Sequence, residues 1–131
     1  MDAVDKLFGV SPSVLALRSQ RFALISANLA NADTPGYKAM DIDFAQALSQ
    51  VQQQRESGDS RQTNVRHFSS DAMGMGTEPL YRMPAQPSMD GNTVETDQEH
   101  AAFMDNAIRY QASLNFLNGR IKSLLLALRG D

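Results

Sequence analysis

The stretch Thr96–Arg129, TDQEHAAFMDNAIRYQASLNFLNGRIKSLLLALR, decides how this chain folds. His100, Ala107, Leu114, Ile121 and Leu128 fall on one seven-residue line. Phe103, Tyr110, Leu117 and Leu124 fall on a second, three residues later in each repeat. Eight of these nine side chains suit an apolar partner, and only His100, at the start, does not. A stripe on a 3.5-residue period is the seam of a helix that wraps another helix. Such a helix runs about 50 Å at 1.5 Å per residue, too long to vanish inside a small globule. Its start carries the capping-box pattern Thr96-Asp97-Gln98-Glu99. Its end has Arg129 in the last turn and Gly130 to adopt the left-handed terminating conformation.

Upstream, Ser11-Pro12 opens a second helix, Ser11 as cap and Pro12 at the first helical position. Leu15, Ser19, Phe22, Ile25, Leu29 and Ala32 recur along one face of it. It stops at Asp33-Thr34-Pro35-Gly36, where Pro35 breaks the ladder and Gly36 accepts a positive φ. A shorter helix follows, with Asp41 as cap and Phe44, Leu48 and Val51 on one face. Residues 2–8 hold a weak extra turn. The polar run 52–62 reads as a linker or exposed loop. From Val65 to Val94, Pro79, Pro84 and Pro87 exclude a helix and any central strand. Short extended pieces remain at 64–68 and 80–83, and Asp90-Gly91 is a tight-turn signal.

The expected fold is therefore mainly α. An N-terminal helical segment (1–33) and a C-terminal helix (96–131) pair as a coiled coil. Between them lies a central segment (34–95) of turn, short helix and irregular arm with a little β-structure. The assembly seam comprises Leu15, Phe22, Ile25, Leu29, Phe103, Ala107, Tyr110, Leu114, Leu117, Ile121, Leu124 and Leu128. Because the first stripe is shorter than the last, apolar surface is left over for burial between chains, which couples folding to assembly.

Composition narrows the function. With 131 residues the chain has room for one small domain. A formal charge of −3 gives no basic field for general nucleic-acid binding. The chain has no cysteine, which removes disulfides and thiolate zinc sites. The longest apolar run, residues 124–128, is far short of a membrane span, and no cleaved secretory signal is evident.

No catalytic, cofactor or metal constellation emerges. His67 and His100 lie apart with no metal-ligand spacing, and Asp41 with Asp43 reads as capping and solvated face. Met73-Gly74-Met75-Gly76 lacks the Lys and Ser/Thr of a phosphate loop. Asn28 and Asn31 sit three apart near a helix end, where Asn usually seeks backbone partners. Their amides either fix the helix end or bond a neighbouring helix, and both readings stay open.

The segment Asn28-Leu29-Ala30-Asn31-Ala32-Asp33-Thr34-Pro35-Gly36-Tyr37-Lys38-Ala39 resembles the signature of the bacterial flagellar rod and hook family. Its motif residues here are Asn28, Asn31, Thr34, Pro35, Gly36 and Tyr37. The continuation Met40-Asp41-Ile42-Asp43-Phe44, and the run from Leu80 to Val94, are similar to the proximal members of that family. The resemblance implies a structural rod subunit, not an enzyme. Such a subunit is exported through the flagellar type III apparatus without a cleaved signal and assembles helically across the periplasm. It implies as partners other copies of the chain, neighbouring rod subunits, and the adaptor and membrane ring at the rod base. A cytoplasmic coiled-coil adaptor and a different rod subunit are the alternatives.

Overall fold

A computed structural model describes Gly9, residues 11–57 and residues 78–130. The elements run α1 (Ser11–Ala30), β1 (Met40–Asp41), α2 (Phe44–Ser57), β2 (Leu80–Tyr81) and α3 (Thr96–Arg129). The fold is mainly helical, as expected, with the N- and C-terminal helices packed together and a two-stranded antiparallel sheet in the centre. The extra turn expected in 2–8 and the extended piece at 64–68 lie outside the described residues.

α1 buries two faces. Leu17, fully buried, joins Ile42 and Ala47 in a small core, with Leu24, Phe44 and Val51 packed around it. α2 reaches that core through Phe44, Ala47 and Val51, a helical i, i+3, i+7 set. The other face of α1 meets α3. The Phe22 ring stands edge-on to Phe103 and Tyr110, with centroids 5.1 and 5.9 Å away. Asn28 opposite Glu99, and Arg18 opposite Asn106, show that the two helices run antiparallel.

Three local expectations are corrected. The first part of the polar run is helical, because α2 continues to Ser57. Gln and Arg are good helix formers and need no core face to extend a helix already nucleated. The cap of α2 is Asp43, whose Oδ1 accepts from the Gln46 N–H at 3.1 Å, whereas Asp41 is turned inward. The capping box of α3 does not form. Glu95 holds the N-cap position without a side-chain capping bond, its carboxylate instead accepting from the Ala85 and Gln86 N–H groups, and Glu99 is fully buried against α1. The C-terminal reading holds, since Gly130 has φ 73° and donates to the Leu126 carbonyl.

β1 and β2 pair Met40 with Tyr81 and Asp41 with Leu80, and the Arg82 N–H extends the ladder to the Ala39 carbonyl. Segments 36–39 and 90–93 also bond. Gly36 N–H donates to Asp90 O, Thr93 N–H to Tyr37 O, and Ala39 N–H to Thr93 Oγ1. The arm is thereby tied to the end of the helical hairpin where α1 stops and α3 starts. At the other end α1 begins beside Ser113 and Phe116, so α3 projects roughly 20 Å further.

Candidate functional site

The expected motif residues meet in a polar clasp where α1 ends. Asn28 is fully buried. Its Nδ2 donates to Met40 O at 2.8 Å and to Glu99 Oε2 at 3.3 Å. Its Oδ1 accepts from Met40 N–H at 3.1 Å and from the Tyr37 hydroxyl at 3.3 Å. Asn31 works locally. Its Nδ2 donates to the Ala27 carbonyl and its Oδ1 accepts from Thr34. Of the two readings left open for this pair, Asn31 fulfils the first and Asn28 the second. Thr34, Pro35 and Gly36 are exposed and form the turn itself, with Gly36 at φ 72°.

Sequence reasoning missed Asn92, which completes the clasp. It is buried, and its single Nδ2 lies within 3.0 Å of the carbonyls of Asn31, Ala32 and Thr34. These carbonyls lie just past the end of α1; those of Asn31 and Thr34 also accept from the Thr34 and Tyr37 N–H groups, and a side chain 60 residues away ties all three together. Asp90 and Gly91 shape the turn that delivers it. Ser88 O accepts from Gly91 N–H, and Asp90 Oδ1 from Asn92 N–H.

Next to the clasp runs an ion chain that sequence reasoning also missed. Arg21 grips both oxygens of Asp41, at 2.9 and 3.0 Å. Arg82 reaches Asp41 Oδ2 at 2.8 Å and also bonds Glu99 Oε1. Four segments are linked through two carboxylates: α1, β1, the residue after β2, and α3. Burial by itself would raise the Asp41 pKa. The bonds from Arg21, the Ile42 N–H and Arg82 outweigh it and hold this carboxyl below its ordinary range. Hydrogen bonding to Asp41 in turn raises Arg21.

The seam residues are distributed unevenly. Ile25 is fully buried; Leu15, Phe22, Leu29, Ala107, Tyr110, Leu114, Leu117 and Leu124 are half-buried. Phe103 and Ile121 lie at the edge of exposure, and Leu128 is 84% exposed. A polar pair not singled out from the sequence, Glu99 and Asn106, seven residues apart, points at α1. Glu99 and Asn106 are fully buried, and Asn106 donates to the Arg18 carbonyl at 2.9 Å. On the helix this polar pair lies beside the Phe103 line, outside the strip bounded by the two apolar lines, and that adjacency was the available signal.

Among the described residues no group of three His, Asp or Glu side chains is arranged to hold a metal ion. Among them, too, no helix is long and apolar enough to cross a membrane. The polar groups of the clasp are spent on holding segments together. Fold and site define a structural helical hairpin with an arm locked at one end.

That class has a family. The model of the flagella basal body rod proteins matches residues 10–38, the stretch holding α1 and the motif half of the clasp. The flagellar basal body rod protein FlgB of Aeromonas hydrophila is 47% identical over 130 residues, covering 97% of this chain and 96% of its own. FlgB of Escherichia coli K12 is 42% identical over 98% of this chain and 97% of its own length. FlgB of Cereibacter sphaeroides is 45% identical over 94% of each. The chain belongs to the flagella basal body rod protein family.

Proposed function

We propose that this chain is a structural subunit of the proximal rod of the bacterial flagellar basal body, assembling helically into the shaft that carries torque. Near-full-length similarity to proteins named FlgB supports the reading. The observation that carries it is the bare apolar surface of α3. Met104, Ile108, Phe116, Leu125, Leu126 and Leu128 are each at least half exposed. So many large apolar side chains left exposed on one helix favour burial against partners.

On this reading the partners are other copies of the chain, neighbouring rod subunits, the adaptor and membrane ring at the base, and the type III export apparatus. The site of action is the periplasmic rod, reached without a cleaved signal. Its work is mechanical, not catalytic. Residues 1–33 and 96–131 form one assembly unit, and 34–95 is the arm that meets neighbours further out. The seam residues from Leu15 to Leu128 are the packing surface. Torque passes through many helices in parallel, so no single side chain plays the role a catalytic residue would.

The test is complementation of a non-motile strain lacking its own copy. Leu117→Asp, Leu124→Asp and Leu128→Asp should each abolish rod assembly and swimming while export of the chain persists. Normal swimming in all three would sink the seam.

A further inference from the structure

Arg18 has no carboxylate partner among the described residues, although it is 91% buried by its 9% relative exposure. The charges that act on it are those of Arg21, Arg109 and Asp105; with Arg82, the four arginines of this end of the hairpin face three carboxylates, Asp41, Glu99 and Asp105. All three carboxylates are taken: Asp41 by Arg21 and Arg82, Glu99 by Arg82, Asp105 by Arg109. The local excess is one positive charge in a chain of net charge −3. The Arg18 Nε is sealed from solvent with no hydrogen-bond partner, and the guanidinium lies over the Phe44 ring, 4.4 Å from its centroid. Ring contact offsets part of the cost of such a cation, yet an ion pair is the usual remedy. Burial, then the neighbouring Arg109, act against its charge, and Asp105, already bonded to Arg109, offsets them only in part.

The missing charge is present elsewhere on the molecule. Asp33 and Asp97 are exposed at the clasp end, and neither forms an ion pair among the described residues. Arg18 lies twelve residues before the end of α1, so about 18 Å of helix separates it from that acidic end. The two patches cannot meet within one chain. Between chains displaced along the helix axis they can, and a contact joining unlike patches repeats from copy to copy.

We propose that Arg18, flanked by Arg109, receives a carboxylate from the Asp33 and Asp97 end of a second copy of this chain. The contact rests on the rod reading above and adds a named polar register to it. Charge pairing of this kind fixes orientation and excludes wrong alignments more than it adds affinity. Apolar heptads repeat every seven residues and match equally well after a slip of one repeat. A single buried cation does not.

The chain lacks cysteine, so introduced thiols report cleanly. Arg109→Cys with Asp97→Cys places two thiols on one helix, twelve residues or about 18 Å apart, beyond the reach of a disulfide within one chain. Oxidised basal bodies carrying the double variant should yield linked dimers and longer ladders, absent from either single variant. In parallel, Arg18→Asp and Asp97→Arg should each lose swimming, and the two together should recover it. Circular dichroism of Arg18→Asp shows whether that variant still folds; if it does not, the disulfide arm decides alone. Basal bodies that contain the chain yet give no link, with charge reversal no better than the single changes, overturn the contact. Absence of the chain from basal bodies overturns the rod reading and the contact with it.

Discussion

Asn28 treats Met40 as a neighbouring strand would: one side-chain amide takes up both the N–H and the C=O of a single residue, at 3.1 and 2.8 Å. In the two-stranded ladder these Met40 groups point away from β2, because the adjacent Ala39 and Arg82 are the bonded pair. A helix side chain therefore closes the sheet edge and glues the arm to α1. Truncation strands buried backbone groups, so Asn28→Ala should cost roughly 2–4 kcal/mol in urea unfolding. Asn28→Asp should be no better, since a carboxylate oxygen replaces the donor facing Met40 O and Glu99.

Glu99 and Asp105, both on α3, each bond an arginine, in different surroundings. Glu99 is fully buried, whereas Asp105 and its partner Arg109 are exposed. Removing one partner from a buried pair typically costs about 3–5 kcal/mol. Glu99→Ala should show a loss of that order, and Asp105→Ala none that chemical denaturation detects. Similar losses in both would contradict the burial assigned to Glu99.

The Asp41 carboxyl titrates below its value of about 3.9 in the unfolded chain. A depressed folded value means the stabilisation is fully present above the unfolded pKa and disappears as pH falls through the folded one. Thermal stability should thus decline on acidification below about pH 4, and part of that slope should vanish in Asp41→Asn. An unchanged acid limb in that variant would exclude Asp41 as a contributor.

Gly36 and Gly119 both have open space where a Cβ would go, so conformation alone separates them. Gly36 sits at φ 72°, and Gly36→Ala should destabilise by about 1–2 kcal/mol. Gly119 lies inside α3, and Gly119→Ala should stabilise by up to about 1 kcal/mol through helix propensity. Paired thermal melts check the opposite signs.

How much of this was legible follows from particular residues. The helix stop at Pro35 and Gly36 and the terminator Gly130 are local chemistry, and local chemistry is written in the sequence. The facing of α3 is not. The polar row of Glu99 and Asn106 lies beside its apolar rows, and periodicity cannot say which row meets a partner of the same chain. Glu99 fits a capping box by spacing, yet Asn28 and Arg82, 71 and 17 residues distant, draw it inward. Asn92 caps a helix from the far side of the arm, a partnership that becomes visible only in three dimensions.

The unequal lengths of α1 and α3 give the molecule a head and a tail. The head arrives already locked by Asn28 and Asn92; the tail is a bare shank of α3 ending in Leu128 and Arg129. On the proposed assembly, a copy joining at one end of a stack meets heads, and a copy joining at the other meets tails. The two ends of such a stack would be chemically unlike, and the direction of growth would be inscribed in a single subunit.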